Sequence, residues 1–87
     1  MQVTLYALST CPYCRMTKKF LDKEGVDYEL IEVDLLEGET GDPSTPKGQA
    51  VAKVKELSGG TSFPVIKAGD EVVVGFNKPR IKELLGL

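Results

Sequence analysis

The pattern of apolar and polar positions predicts seven elements in the order strand, helix, strand, helix, strand, strand, helix. Residues 2–8 are β-branched and aromatic and are mostly apolar at both alternating sets of positions, which indicates a strand buried on both faces. Residues 12–24 place apolar side chains at helical spacing, and Gly25 is expected to end this helix. A second strand is predicted at 28–35. A strand–helix–strand unit of this size predicts a parallel pair with a right-handed crossover.

The middle of the chain predicts a loop and then a helix. Residues 36–46 contain glycine, proline and acidic side chains and predict a loop of about eleven residues, longer than most connections. We interpret it as a solvated linker in preference to a partner-docking loop. Thr45 and Pro46 then form an N-cap and first-turn pair for a helix at 46–57, which carries apolar side chains on one stripe.

The last third of the chain predicts a β-hairpin and a short helix. Two apolar runs, 65–67 and 72–74, flank a turn that contains Gly69 and Asp70. Asn77 is expected to cap a final helix over the residues that follow it. The order of elements therefore predicts an α/β fold in which a four-stranded mixed sheet is covered by three helices.

Composition narrows the class of protein. The chain has 87 residues with 41% hydrophobic and 28% charged side chains, which fits one small globular domain over residues 1–87. A formal net charge of −2 and the lack of a basic stripe argue against a nucleic-acid partner. No apolar run approaches the ~20 residues that span a bilayer, so we expect no membrane association. Because a strand follows Met1 at once, we expect no signal peptide and a cytoplasmic protein. We also expect the protein to be a monomer.

The chain has two cysteines, Cys11 and Cys14, which lie where the first strand meets the first helix. Residues three apart on a helix lie on one face, about 5–6 Å apart between Cβ atoms, and a disulfide needs a Cα separation of about 4.4–6.8 Å. The pair can therefore close and reopen with little adjustment. A loop this small removes little entropy from the unfolded chain, so the disulfide would not be a structural staple. The spacing indicates thiol–disulfide chemistry.

The position of the two sulfur atoms on the helix predicts different roles. Cys11 is expected at the helix N-cap, with Pro12 in the first turn, where its missing N–H costs nothing. Hydrogen bonds to a charged acceptor are worth about 1.5–3 kcal/mol each, whereas the helix dipole contributes roughly 0.3–1 kcal/mol. We therefore expect the free N–H groups of the first turn to contribute most to the stabilisation of a Cys11 thiolate. Arg15 and Lys18 add positive charge. We predict that Cys11 attacks the substrate disulfide and that Cys14 resolves the intermediate.

Two other uses of the cysteines compete with thiol–disulfide chemistry. They could be two buried free thiols without chemistry. They could also ligate metal, but structural zinc needs four Cys or His ligands and the chain has two Cys and no His. Only a dimer, such as one that shares an iron–sulfur cluster, could use the pair in this way. We therefore predict no metal site and no bound cofactor.

The tetrad Cys11-Pro12-Tyr13-Cys14 at the first strand–helix junction, together with Pro64 at the start of the third strand, resembles the glutaredoxin branch of the thioredoxin fold. The resemblance covers essentially the whole chain. It implies a thioredoxin-like fold and a dithiol disulfide oxidoreductase. It also implies that the Phe63–Pro64 peptide is cis and lies against the cysteines, and that a substrate pairs with the Phe63 backbone as a short added strand.

The chain departs from glutathione-using glutaredoxins in two places. Those proteins usually carry Lys or Arg three residues before the first cysteine, where this chain has Leu8. They also usually follow the hairpin with two glycines and acidic residues, whereas this chain keeps Gly75 and then has Phe76 and Asn77. The stretch from Gly75 to Pro79 resembles that of glutaredoxin-like redoxins that serve ribonucleotide reductase and are recharged by a thioredoxin-type reductase.

The resulting hypothesis is a thiol–disulfide oxidoreductase that reduces protein or glutathione mixed disulfides, with glutathione as co-substrate. The alternative is a redoxin that donates electrons to ribonucleotide reductase or other proteins and is recharged by a thioredoxin-type reductase. An iron–sulfur-bridged dimeric carrier or sensor ranks last. The predicted site comprises the catalytic pair Cys11 and Cys14, which form the redox disulfide, and the substrate- or glutathione-binding residues Pro12, Tyr13, Arg15, Lys18, Ser62, Phe63, Pro64, Gly75, Phe76 and Asn77.

Overall fold

The structure is a computed structural model that describes residues 2–87. Met1, the first residue of the predicted domain, lies outside the described residues. The elements are β1 (Val3–Ala7), α1 (Pro12–Lys23), β2 (Glu29–Glu32), a 3₁₀ helix (Val33–Leu35), α2 (Pro46–Ser58), β3 (Val65–Ala68), β4 (Glu71–Val74) and α3 (Lys78–Leu85). Within these residues no helix is long and apolar enough to cross a bilayer.

The four strands form one mixed sheet in the order β2-β1-β3-β4. β1 runs parallel to β2, with Ala7 opposite Glu32, and antiparallel to β3, with Leu5 opposite Ile66. β3 and β4 form the predicted hairpin. The predicted α/β architecture of four strands and three helices is confirmed, and β1, which ends at the cysteines, lies in the interior of the sheet.

The sheet is covered on both faces, as the apolar pattern of β1 predicts. Leu5 and Ala7 point to one face, where they pack with side chains of α1 and α3. Tyr6 points to the other face and packs with Val51 and Val54 of α2. Two small cores therefore hold β1 from both sides and fix the position at which the chain leaves the sheet.

The predicted second strand is wrong at its end. Residues 28–35 were expected to be extended, but pairing with β1 stops at Glu32 and the chain turns into the 3₁₀ helix. The N–H of Leu36 donates to the carbonyl of Val33 at 3.3 Å, and the Val33 side chain is buried beneath α2. Two causes explain the turn: the Val33 side chain is buried, and β1 ends at Ala7, so no partner strand remains beyond Glu32. β1 is likewise shorter than predicted, since the chain turns after Ala7.

The long acidic loop folds back on the start of α2. The Thr45 hydroxyl accepts the N–H of Gly48 at 3.2 Å, which confirms the predicted N-cap, and it donates to the carbonyl of Asp42 at 2.8 Å. A second bond joins the N–H of Lys47 to the carbonyl of Glu37 at 2.9 Å. A Cβ at Gly48 would lie 1.7 Å from the Asp42 carbonyl oxygen, so only glycine allows this approach.

Replacement of Leu21 by alanine should weaken the fold strongly, because this side chain of α1 is fully buried against the sheet. We expect the free energy of unfolding to fall by about 2–5 kcal/mol, measured by urea denaturation. The matched control is Leu35→Ala. Leu35 is 68% exposed, so its loss should change stability by less than about 0.5 kcal/mol. Equal effects of the two changes would contradict this description of the core.

Candidate active site

The site lies at the junction between β1 and α1. The N–H of Cys11 donates to the carbonyl of Leu8 at 3.2 Å, which turns the chain out of the sheet. Cys11 is the N-cap of α1, with extended backbone angles, and Pro12 occupies the first turn, as predicted. The Cys11 Sγ accepts the N–H of Cys14 at 3.3 Å. The sulfur of Cys11 therefore occupies the position of a capping oxygen and meets a free N–H of the helix.

The two thiols differ in accessibility. Cys11 is half-buried, whereas Cys14 has no exposed surface and belongs to the core beneath α1. Burial, and next the hydrogen bond with the Cys11 side chain, raise the pKa of the Cys14 thiol to about 12. The charge of Lys18 acts in the opposite direction and is a smaller influence. Cys14 is therefore a protonated thiol at neutral pH, and Cys11 offers the accessible sulfur.

The Phe63–Pro64 segment before β3 forms the side of the site opposite α1. The Phe63–Pro64 peptide is cis, as the resemblance implied. Pro64 is buried, and its carbonyl accepts the N–H of Gly75 at 2.7 Å, which ties the end of the hairpin to this segment. Phe63 is half-buried and packs against the same core as Cys11 and Cys14. The structure thus brings five of the predicted site residues to one end of the sheet: Cys11, Cys14, Phe63, Pro64 and Gly75.

The segment after the hairpin is fixed to α1 by aromatic packing. The ring of Phe76 meets the ring of Phe20 edge-on, with centroids 6.4 Å apart and planes at 72°. The ammonium group of Lys78 lies over the Phe20 ring at 5.6 Å from its centroid. Asn77 accepts the N–H of Arg80 at 3.3 Å and caps α3, which is the structural role that the sequence predicted.

The remaining predicted residues lie around this centre without a shared contact. Pro12, Arg15 and Ser62 are exposed, and Tyr13 exposes 61% of its surface beside Cys11. Lys18 is half-buried and pairs with Glu32 at 3.3 Å, so its charge is directed toward β2. Their roles toward a substrate stay predictions.

One polar contact of the site was missed by sequence reasoning. The Asp34 carboxylate accepts both the N–H of Ser9, at 2.9 Å, and the Ser9 hydroxyl. These two bonds hold the pKa of Asp34 below its ordinary value. Because β1 and β2 are parallel with Ala7 opposite Glu32, the residues two places further on meet at the same sheet edge. The pairing register was the signal that could have identified the contact. The Ser9–Asp34 contact holds the loop that leads to Cys11.

An open groove of about 400 Å³ lies beside Phe63. Leu8, Thr61 and Phe63 line it from the side of the redox pair. Lys47 and Lys55 line it from α2, and Asp34 lines it from the 3₁₀ helix, so an apolar surface continues into one that carries two cations and one anion.

The arrangement performs two-electron thiol chemistry. An accessible sulfur sits at a helix N-terminus, and a second, protonated thiol lies one helical turn away. Both cysteines are free in this structure, and within residues 2–87 no three His, Cys, Asp or Glu side chains are grouped to hold a metal ion. A fold and site of this kind define a thiol–disulfide oxidoreductase.

Comparison with known proteins identifies the family. The family model described as Glutaredoxin matches residues 3–73, which include both cysteines and the Phe63–Pro64 segment. This chain belongs to the glutaredoxin family. The predicted family, fold and enzyme class are therefore confirmed.

Solved structures and relatives support this assignment. A glutaredoxin from Archaeoglobus fulgidus is 44% identical, with a TM-score of 0.85 over 97% of this chain and 85% of that one. Methanoredoxin from Methanosarcina acetivorans is 38% identical, with a TM-score of 0.86 over 99% of this chain and 85% of that one. The glutaredoxin-like protein NrdH of Escherichia coli is 29% identical over 97% of this chain and 89% of its own length.

Alkylation of the reduced native protein should label Cys11 and spare Cys14. With a pKa of about 12, Cys14 has a thiolate fraction on the order of a thousandfold below that of an ordinary cysteine at neutral pH, and it is also buried. The measurement is iodoacetamide labelling at neutral pH, followed by peptide mass spectrometry. Unfolding in urea is the control and should make both cysteines reactive. Equal labelling of both in the native protein would contradict the assigned roles.

Proposed function

We propose that this chain reduces disulfides in proteins and mixed disulfides with glutathione, with Cys11 as the attacking thiol and Cys14 as the resolving thiol. The observation that carries the proposal is the hydrogen bond from the Cys14 N–H to the Cys11 Sγ, at 3.3 Å. It gives the accessible sulfur a backbone hydrogen-bond donor, and the second sulfur lies in the same helical turn. A substrate can therefore be attacked and released at one place.

The first step of the proposed reaction forms a mixed disulfide. The Cys11 thiolate attacks one sulfur of the substrate disulfide, a bond forms between these two sulfurs, and the substrate S–S bond breaks. The departing substrate sulfur leaves as a thiolate and takes a proton from water. The substrate half that stays bound would lie along Phe63, whose backbone would pair with it as an added strand.

The second step releases the substrate. The Cys11 side chain, through its hydrogen bond and its charge, contributes to the raised pKa of Cys14. Both contributions need a free Cys11 sulfur, so bonding of that sulfur to substrate would remove them and lower the pKa of Cys14, while burial, the largest cause of the raised pKa, would persist. Cys14 then attacks the Cys11 sulfur, its proton passes to the departing thiolate, and the protein holds the Cys11–Cys14 disulfide. Two electrons have moved to the substrate.

The groove beside the site supports a substrate with carboxylates. Glutathione and peptide backbones extend on both sides of the reacting sulfur. Lys47 and Lys55, which outnumber Asp34 in the groove, would pair with their acidic groups. Leu8 leaves the opposite side of this groove apolar. We also propose a cytoplasmic location, since a dithiol that donates electrons needs a reducing compartment.

A second function has one specific observation in its favour. Similarity to the glutaredoxin-like protein NrdH extends over 97% of this chain. The apolar Leu8, and Phe76 and Asn77 after Gly75, are also the features in which the chain departs from glutathione-using relatives. The second candidate is therefore an electron donor to ribonucleotide reductase or other proteins, recharged by a thioredoxin-type reductase.

Serine at each cysteine should separate the two steps. Cys11→Ser should lose all disulfide reduction, because no nucleophile remains at the accessible position. Cys14→Ser should stop after the first step and accumulate a covalent adduct, visible by mass spectrometry as the protein plus one substrate thiol. Circular dichroism checks that both variants fold. An adduct that forms on Cys11→Ser instead would reverse the assigned roles.

The electron donor can be determined by two parallel assays of steady turnover. We expect turnover with glutathione, glutathione reductase and NADPH, because the groove has lysines that can bind the carboxylates of the tripeptide. The second assay replaces these with thioredoxin reductase and NADPH. Omission of the redoxin is the control in each. Turnover in the second assay alone would exclude glutathione as the donor and favour the second candidate function.

A further inference from the structure

A groove between α1 and α3 lies outside the redox site described above. It has a volume of about 400 Å³, and its floor is formed by the side chains of Met16, Phe20 and Phe76. Its rim carries four ammonium groups, which belong to Lys19, Lys23, Lys78 and Lys82. Glu24 is the acidic residue among the lining side chains. We refer to this surface as the basic groove.

The charge of the basic groove contrasts with that of the whole chain. The protein has a formal net charge of −2, yet four of its 11 Lys and Arg residues line this one surface. Within residues 2–87 the ion pairs join Lys18 to Glu32, Lys53 to Glu56 and Arg80 to Glu83, and the four groove lysines form none. Their charges are available to an acidic partner.

The basic groove is continuous with the redox site. Tyr13, Met16 and Phe20 are spaced by three and four residues, so they follow one face of α1 from Cys11 toward the groove. Tyr13 and Met16 are 61% and 46% exposed and form an apolar path along that face. On the other side, Phe76 follows directly after Gly75, which is bonded to Pro64. A molecule attached to Cys11 can therefore reach the groove without leaving the surface.

From this placement we propose that the basic groove docks an acidic peptide segment of a protein substrate while its disulfide is reduced at Cys11. The inference rests on the proposed function, and it adds the class of client protein. Acidic side chains would pair with the groove lysines, and an apolar side chain between them would rest on Met16 and Phe76. A nucleic acid fits less well, because Phe20 is 8% exposed and lies beneath Lys78, so this ring cannot stack on a base.

The geometry sets where the acidic residues must lie in the client. Lys19 and Lys23 follow Cys11 along α1 by a distance of about 12–18 Å at the helical rise. An extended peptide advances about 3.3 Å per residue. Acidic residues about four to six positions from the reacting cysteine would therefore reach the groove lysines, whereas acidic residues directly beside that cysteine would not.

The test measures the rate at which pre-reduced protein reduces three synthetic peptides of equal length. Each has one cysteine as a mixed disulfide with 2-mercaptoethanol. The first has a leucine and glutamates four to six residues away on both sides, the second has lysines in place of those glutamates, and the third has the glutamates next to the cysteine. We expect the first to react about tenfold faster than the other two at low salt, and the difference to fade near 1 M salt, where the Debye length is about 3 Å.

Two charge-reversed variants localise the effect. Lys19→Glu with Lys78→Glu should abolish or invert the preference for the first peptide. Lys53→Glu with Lys67→Glu changes the net charge equally on the α2 side of the sheet, beside Tyr6, and should keep the preference. Hydroxyethyl disulfide, which is small and uncharged, is the substrate that reports an intact redox site.

The outcomes distinguish the inference from the proposed function. If the unaltered protein fails to reduce hydroxyethyl disulfide, the proposed function is wrong. If it reduces hydroxyethyl disulfide but treats the three peptides alike, only the docking inference is overturned, and this comparison needs no variant to fold. Loss of the preference in both double variants, or tighter binding of a labelled single-stranded oligonucleotide than of the acidic peptide, would also overturn the inference.

Discussion

The hydrogen bond between the Cys14 N–H and the Cys11 sulfur is the contact on which the chemistry depends. A helix leaves its first N–H groups without partners inside the helix, and here a sulfur takes the place that an oxygen usually fills. The bond gives the half-buried sulfur a backbone donor, and the two thiols lie within one turn. This contact requires Cys11 to be the N-cap of α1, so the position of the helix start is as important as the presence of the cysteines.

The sheet fixes that position. β1 is held by two cores, one on each face, and it ends at Ala7. Its parallel pairing with β2 then brings Asp34 to Ser9, which anchors the loop before the redox pair. The hydrogen bond from the Gly75 N–H to the Pro64 carbonyl anchors the Phe63–Pro64 segment on the other side of the site. The position of the accessible sulfur is therefore fixed by contacts from three segments that are far apart in the chain.

The redox pair is distinct from the surface grooves that lie around it. The redox pair and the cis Phe63–Pro64 segment belong to the glutaredoxin pattern. Leu8, the lysines of the groove beside Phe63 and the basic groove between α1 and α3 are surface features that the redox step does not require. We therefore expect the choice of client and donor to depend on such surfaces.

The sequence by itself determined the order of elements, the two-faced burial of β1, the family and the redox pair. These follow from local spacing: alternation along a strand, periodicity along a helix, and Cys-x-x-Cys at a junction. Tertiary structure decided the end of β2 at Glu32, the Ser9–Asp34 contact and the convergence of four lysines from two helices. Each of these depends on pairing register or on helix packing, which join residues distant in the chain and leave no local pattern in the sequence.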